Sequence, residues 1–193
     1  MTDTQELIKQ LTDVDVNVRK DAADALAEIN GDETLIEPLI NALSDENSQV
    51  RFKSSQALGN VGEVAVDPLI EAARAEKDGE IKRYILEAIK KINSPKSVDY
   101  FIEALDDEDW GVKKVAARAL GELGDLKALE HLQKALDDED WGVRLAGIYS
   151  LGDLASEESI AMIKKARRKE KDKDFKKACN KAIKKAEKTM KNK

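Results

Sequence analysis

The stretch ALDDEDWGV occurs at residues 104–112 and again, letter for letter, at residues 135–143. The offset of 31 residues continues in both directions when the chain is aligned on the valine that closes this block. Six apolar anchor residues then recur at intervals of 31 or 32: Val18, Val50, Ile81, Val112, Val143 and Phe175. A period of this length is typical of repeat architectures, in which stacked copies of one small unit bury a continuous core.

Each anchor begins a helical pattern. Apolar or small residues follow it at four, seven, eight and eleven places, as Ala116, Ala119, Leu120 and Leu123 do in the fourth copy. This spacing lies on one face of a helix with 3.6 residues per turn, and the small residues allow a neighbouring helix to approach closely. Another helix precedes each anchor, for example in LIEPLINAL (35–43). The sequence therefore predicts six helix–turn–helix units and no strand.

The ends of the second helix in each unit are also marked. An Asp or Asn three residues before each anchor is suited to cap the helix, because its side chain accepts a free N–H group of the first turn. These caps are Asp15, Asn47, Asp78, Asp109, Asp140 and Asp172. Twelve residues after the anchor, four units carry a residue that tolerates the left-handed turn ending a helix. These are Asn30, Gly62, Asn93 and Gly124.

The segment DDEDWGVKKVAARALGELGD (106–125) is similar to the HEAT-like repeat of the phycobilisome-lyase type. The shared pattern is an acidic turn, Val-Arg, Ala-Ala, Ala-Leu-Gly and then Leu-Gly-Asp. The resemblance implies an all-α fold, a right-handed α-solenoid of about six HEAT-like helical hairpin repeats. We expect a single domain over 1–193, with repeats at about 1–31, 32–62, 63–93, 94–124, 125–155 and 156–193. The resemblance leaves the function open, since this family includes scaffolds, bilin lyases and enzymes.

Every unit also carries an acid five residues before the anchor and a base one residue after it. The acids are Asp13, Asp45, Glu76, Asp107, Asp138 and Glu170, and the bases are Arg19, Arg51, Lys82, Lys113, Arg144 and Lys176. In HEAT-like repeats the similar residues form a ladder that links successive turns. An exposed ion pair contributes roughly 0–1 kcal/mol, whereas burying one Leu side chain contributes roughly 1.5–3 kcal/mol. We therefore expect the ladder to align the repeats and apolar stacking to stabilise them.

In this repeat class the second helices line the concave face. Positions two and six after each anchor point away from the apolar stripe, and in the middle four units they include six residues of interest. These are Phe52, Arg83, Lys114, Arg118, Leu145 and Tyr149. Large apolar side chains together with Arg are typical of protein-binding grooves, although scattered surface residues of these types are normal on any protein. We predict that this set binds a protein or peptide.

Capping does not account for Trp110 and Trp141, which lie on the turn that enters the second helix of two successive units. Two interpretations remain. Each indole lies flat across a neighbouring turn, or the two form an exposed aromatic pair that anchors a partner, since Trp is favoured in binding hot spots.

The charges are unevenly distributed. Residues 164–193 carry fifteen Lys or Arg and four Asp or Glu, whereas the other 163 residues carry eighteen basic and thirty-five acidic residues. Three interpretations of this basic end are open: a solvated cap on the last repeat, a dock for an acidic partner or another copy, and a contact for nucleic acid or an anionic membrane. The acidic body and a tail without exposed aromatics argue against nucleic acid.

Catalytic groups are scarce. The single His131 lies in a first helix, and the single Cys179 falls on the buried stripe, where it is expected to act as a small core residue. The block at 106–112 has the alternating carboxylates of a calcium loop, but Trp110 stands where a ligand oxygen is needed and the twelfth position is Ala117. We expect no metal and no cofactor.

These observations favour a non-enzymatic scaffold or adaptor that binds a protein or peptide through its concave face and its Trp-bearing edge. Two alternatives stay open: a bilin-lyase-like or other small-ligand role, and nucleic-acid contact through the basic end. With no apolar run near 18 residues and no secretory pattern in MTDTQELIKQL, we expect a cytoplasmic protein. The identity of the partner and the oligomeric state are not specified by the sequence.

Overall fold

A computed structural model describes residues 3–192 of the chain and divides it into two compact units, Met1–Ser97 (unit 1) and Val98–Lys193 (unit 2). All regular secondary structure among the described residues is helical, with twelve α-helices, four short 3-10 turns and no strand. The predicted all-α class and the six helical hairpins are confirmed. Each of the six predicted repeats contains one hairpin, and the assignment of the whole chain to a single domain stays a prediction.

Unit 1 consists of three hairpins. Its helices are α1 (Thr4–Gln10), α2 (Val16–Leu26), α3 (Ile36–Ala42), α4 (Ser48–Val61), α5 (Val66–Ala75) and α6 (Gly79–Ile92). The second helices α2, α4 and α6 pack side by side, and each first helix packs on the second helix of its own hairpin. Three 3-10 turns, at Glu33–Leu35, Glu63–Ala65 and Pro95–Ser97, lie between a second helix and the next first helix.

Unit 2 repeats this arrangement. Its helices are α7 (Val98–Ala104), α8 (Trp110–Leu123), α9 (Leu129–Ala135), α10 (Trp141–Leu154), α11 (Glu157–Lys169) and α12 (Lys173–Lys191). The second helices α8, α10 and α12 again lie side by side, with α7, α9 and α11 packed on them. One 3-10 turn, Leu126–Ala128, precedes α9.

Four of the six anchors lie in the core. Val50, Val112, Val143 and Phe175 are at most 1% exposed, whereas Val18 and Ile81 are half-buried. Because the anchor and the small residues behind it share one helix face, burying that face removes several apolar side chains per repeat from water, each worth roughly 1.5–3 kcal/mol before entropy. The predicted stacking through apolar stripes is confirmed.

The predicted helix starts are also confirmed, and one predicted stop is wrong. All six Asp or Asn caps accept an N–H group from the first turn of their helix. Gly62, Asn93 and Gly124 end α4, α6 and α8 with positive φ. Asn30 does not: α2 ends at Leu26, and the left-handed residue there is Gly31, which reaches φ 72° without the steric cost of a Cβ.

Candidate protein-binding surface

We call the positions two and six after each anchor, on the side of the second helices away from the core, the outward stripe. In unit 1 it brings Phe52 of α4 and Arg83 of α6 onto adjacent helices. Phe52 is 52% exposed. Arg83 is half-buried, and its Nε donates to the carbonyl of Gly79 at 3.2 Å. Both side chains reach the surface.

In unit 2 the outward stripe lies on α8, α10 and α12. Lys114 and Arg118 lie on α8, and Leu145 and Tyr149 lie on α10. Tyr149 is 38% exposed, Arg118 is exposed, and Leu145 and Lys114 are half-buried. All six residues predicted from the sequence to bind a partner therefore have solvent-accessible side chains. That these six residues bind a partner stays a prediction.

The turn edge carries the two tryptophans. Trp110 is 47% exposed and Trp141 43% exposed, each as the first residue of its helix directly after the capping Asp. The ammonium of Lys114, one helical turn further on, lies 4.4 Å from the centroid of the Trp110 ring. About half of each indole is thus open to solvent, and one indole face holds a cation in place.

Cations on aromatic rings recur in both units, and the sequence interpretation missed them. Besides the Lys114–Trp110 pair, the contacts are Arg51 over Tyr84 at 5.6 Å, Arg144 over Phe175 at 5.9 Å and Lys181 over Tyr149 at 5.9 Å. Each of these three pairs joins neighbouring second helices. Only Trp110 and Lys114, four residues apart on one helix, had a spacing from which the contact could have been predicted.

Arg19 forms the ladder contact between the first two repeats. The Nε and Nη2 atoms of Arg19 donate to the two carboxylate oxygens of Asp45 at 2.6 and 3.1 Å. Nη1 of the same guanidinium donates to the carbonyl of Asp13 at 2.9 Å, within its own repeat. Arg19 therefore links the turn of its own repeat to the turn of the next repeat. A bidentate contact of this kind is specific to Arg, because its planar guanidinium group matches the geometry of a carboxylate.

These contacts lower the pKa of the ladder carboxylates. Burial alone would raise the pKa of Asp45, but the bonds from Arg19 and from the N–H of Asn47 outweigh it, and the pKa lies below the ordinary value. The same balance holds for Asp138: burial raises its pKa, and the bond from Lys113, 2.5 Å away, brings it below the ordinary value. Both side chains are therefore charged at neutral pH.

Two ladder bases, contrary to the prediction, do not pair with the ladder acid of the next repeat. Arg51 bonds Glu80 at 2.6 Å and not Glu76, whose longer side chain instead accepts the N–H groups of Lys77 and Asp78. Arg144 donates to carbonyls of its own turn, while the pKa of Glu170 is lowered first by the N–H of Asp172 and further by the charge of Arg144 nearby. All six acids share one role: each accepts the N–H of the residue two places on.

The side chains that could act as nucleophiles, acid–base catalysts or metal ligands do not belong to the outward stripe. Cys179 is fully buried, and burial raises the pKa of its thiol to about 11, so the reactive thiolate is not formed at neutral pH. His131 is half-buried in α9. Within residues 3–192, no three His, Cys, Asp or Glu side chains converge in a way that could hold a metal ion. No helix in the described part of the chain is both long and apolar enough to cross a bilayer.

The fold and the turn motifs correspond to a known family of repeats. The family model for HEAT repeats matches residues 4–83, 66–139 and 127–184. The chain belongs to the HEAT-repeat family. Its predicted likeness to HEAT-like repeats of the lyase type is also confirmed by solved structures. Among curated proteins, nothing matches this HEAT-repeat protein.

Several solved structures are similar to this HEAT-repeat protein. The complex of CpcE and CpcF of phycocyanin lyase from Nostoc sp. has a TM-score of 0.72 at 25% identity over 78% of this chain and 99% of that one. YibA of Escherichia coli has a TM-score of 0.66 at 15% identity over 98% of this chain and 75% of that one. A designed armadillo repeat protein in complex with the peptide (KR)4 has a TM-score of 0.60 at 17% identity, over 96% and 100% of the two chains. The last two likenesses show the fold alone.

Proposed function

We propose that this HEAT-repeat protein is a non-enzymatic scaffold or adaptor that binds a protein or peptide partner through the outward stripe and the Trp-bearing turn edge. The observation that carries the proposal is the exposure of Phe52 and Tyr149 on the second helices, away from the core, among Arg and Lys side chains. Aromatic residues and Arg are the side chains that dominate binding energy at protein interfaces.

The chemistry of the chain supports a binding role over a catalytic one. The thiol of Cys179 is buried and protonated, and His131 lies on a first helix, so neither group is placed on the outward stripe. Two hollows on the surface lie along the turns, one lined in unit 1 by Arg19 and Asp45 and one lined in unit 2 by Arg144 and Glu170. The ladder contacts described above already engage these residues.

Affinity capture from the native cell, read by mass spectrometry, tests the proposal. The protein in which Phe52, Arg83 and Tyr149 are all changed to Ala should lose the proteins that the wild-type protein captures, with an unchanged helical circular dichroism spectrum. A matched control changes Val64, Leu126 and Arg168 to Ala, which are exposed residues of similar character outside the stripe. Equal capture by the stripe variant and the wild-type protein would refute the assignment of the stripe.

The likeness to the CpcE–CpcF complex supports one alternative, a bilin-lyase-like role. A titration of the protein with a linear tetrapyrrole, followed by visible absorption, separates the two functions. The scaffold proposal expects no change in the absorption of the tetrapyrrole. A saturable spectral shift that persists in the variant of Phe52, Arg83 and Tyr149 would favour the ligand-binding role.

A further inference from the structure

The outward stripe differs in charge between the two units. In unit 1 two cations are balanced by two acids, namely Lys20 and Arg83 by Asp24 and Glu87, for a net charge of zero. In unit 2 the same positions hold four cations and no acid: Lys114, Arg118, Lys177 and Lys181. Leu145 and Tyr149 lie on α10, between the cations of α8 and those of α12. A protein with a net charge of −6 therefore presents a positive surface with an apolar centre on this part of unit 2.

Three of the four cations of this surface, Lys114, Arg118 and Lys181, form no ion pair with a residue between 3 and 192. Lys114 lies on the ring of Trp110, and Lys181 lies on the ring of Tyr149. An aromatic face orients an ammonium group without cancelling its charge. Arg118 is exposed and makes no ion pair or side-chain hydrogen bond with any residue between 3 and 192.

Acids near the surface remove part of the positive charge. Lys177 is paired with Asp174 of its own helix at 2.8 Å, which leaves three cations in the stripe. On the flank, Asp153 of α10 is already paired with Lys185 of α12. Glu122 lies exposed on α8, one turn beyond Arg118. Counted over the stripe positions and Glu122, three unpaired cations stand against one acid, a net charge of +2 at these positions.

We infer that unit 2 binds an extended acidic peptide with a large apolar residue at its centre. Neighbouring packed helices are about 8–10 Å apart, and an extended chain in the polyproline II conformation advances about 3.1 Å per residue with three residues per turn, so that every third side chain lies on the same face. A peptide that crosses the three second helices therefore meets the next one about every third residue. The matching pattern is an acid facing Lys114 and Arg118, an apolar residue facing Leu145 and Tyr149, and an acid facing Lys181. This inference rests on the proposed function and gives the partner its chemical class.

Fluorescence polarisation with three labelled peptides tests the pattern at an ionic strength of about 0.15 M, where unspecific charge attraction is largely screened. The first probe has the core Glu-Ser-Ser-Leu-Ser-Ser-Glu. The second replaces both Glu with Gln, and the third has the same composition with the two Glu adjacent. We expect the first peptide to bind roughly tenfold or more tightly than the other two. Equal binding of the first and third peptides would overturn the pattern.

Variants locate the binding surface. Changing Arg118 and Lys181 together to Gln should weaken binding of the first peptide by about tenfold, because each exposed charge pair contributes up to a factor of about five. Changing Lys164 and Arg168 to Gln removes the same charge from exposed positions of α11 and should leave binding unchanged. Equal weakening by both double variants would overturn the inference, because it would show that only the overall charge of the protein matters.

Two other occupants are outcomes of the same experiment. If a single-stranded oligonucleotide of matched charge displaces the first peptide with equal affinity, the surface is a general polyanion site and the inference fails. It also fails if no peptide binds and sedimentation shows a dimer that the Arg118 and Lys181 double variant dissociates, since the occupant is then a second copy. Failure of peptide binding leaves the scaffold proposal standing as long as the variant of Phe52, Arg83 and Tyr149 still loses its captured proteins.

Discussion

The two units are built from the same hairpin, yet their second helices approach each other in different ways. In unit 2 the backbone itself forms the contact: a Cβ built on Gly121 would lie 2.7 Å from the Cα of Ser150, and one on Gly152 would lie 3.1 Å from the Cα of Ala182. In unit 1 the equivalent Gly59 of α4 is covered by the aliphatic chain of Lys91, whose Cδ would lie 2.5 Å from such a Cβ. At this position the helices of unit 2 contact each other through their backbones, whereas in unit 1 a flexible side chain lies between them.

Their ladders differ as well. Unit 1 uses arginines, and the Arg19–Asp45 rung is a two-pronged bond between side chains that are about 90% buried. Unit 2 uses a single bond from Lys113 to Asp138. The comparison indicates that the repeat pattern sets the arrangement of helices, while the distance between helices and the strength of each rung are set by residues that vary from copy to copy.

The largest expected effect distinguishes the two kinds of helix contact. Gly121→Ala should lower the free energy of unfolding by roughly 1–3 kcal/mol, because the new methyl group overlaps the backbone of α10 and the helices must move apart. Gly59→Ala should leave it nearly unchanged, since Lys91 can shift and Ala gains roughly 0.5–1 kcal/mol of helix propensity over Gly. Urea unfolding followed by circular dichroism measures both. Similar losses in the two variants would mean that the contacts of the two units are equivalent after all.

The next effect concerns the ladder and depends on pH. Asp45→Asn keeps the acceptor for the N–H of Asn47 but loses the charge, and it should cost roughly 1–2 kcal/mol at pH 7. Because the pKa of Asp45 is lowered by folding from an ordinary value of 3.8, its contribution is fully present above that pH and is lost as the pH falls through the lowered value. The difference in unfolding free energy between wild type and variant should therefore shrink in acid.

Asp138→Asn is the matched variant in unit 2. Since Lys113 makes one bond where Arg19 makes two, the loss at pH 7 should be smaller than in Asp45→Asn, at roughly half of it. The pKa of Asp138 is lowered too, so this smaller difference should shrink in the same direction. A difference for either variant that grows as the pH falls would contradict the assignment of these carboxylates as charged ladder groups.

The sequence predicts structural features that depend on interactions within one helix or turn better than those that depend on contacts between repeats. The anchors, caps and hairpins follow from apolar spacing and from Asp or Asn at fixed places, because those interactions lie within one helix or one turn. The pairing of Arg51 with Glu80 could not be predicted in this way, since Glu76 and Glu80 are both acidic and only the length and path of the turn select between them.

The candidate binding surface shows the same limit. Helical spacing correctly placed Phe52 and Tyr149 on an exposed face. It did not show that Lys181 lies on the ring of Tyr149, because that contact joins two helices whose offset is set by packing at Gly152. The cations of the unit 2 stripe can be read from the repeat positions, whereas the placement of Lys181 on an aromatic ring of the neighbouring helix becomes visible only in three dimensions.

The smallest expected effect concerns Ala155. The sequence did not predict the end of α10 at this residue. Ala155 ends α10 in the left-handed conformation (φ 48°), at the place where α6 ends in Asn93 (φ 56°), although Ala carries no signal for such a turn. Left-handed backbone costs an ordinary residue roughly 1–2 kcal/mol, and the buried Ala155 methyl recovers about 0.8 kcal/mol. Ala155→Gly should therefore stabilise the protein by roughly 0.5 kcal/mol in urea unfolding, while Asn93→Ala should destabilise it by a similar amount. If Ala155→Gly is instead destabilising, the methyl contact outweighs the backbone cost, and the close packing of unit 2 extends into its turns.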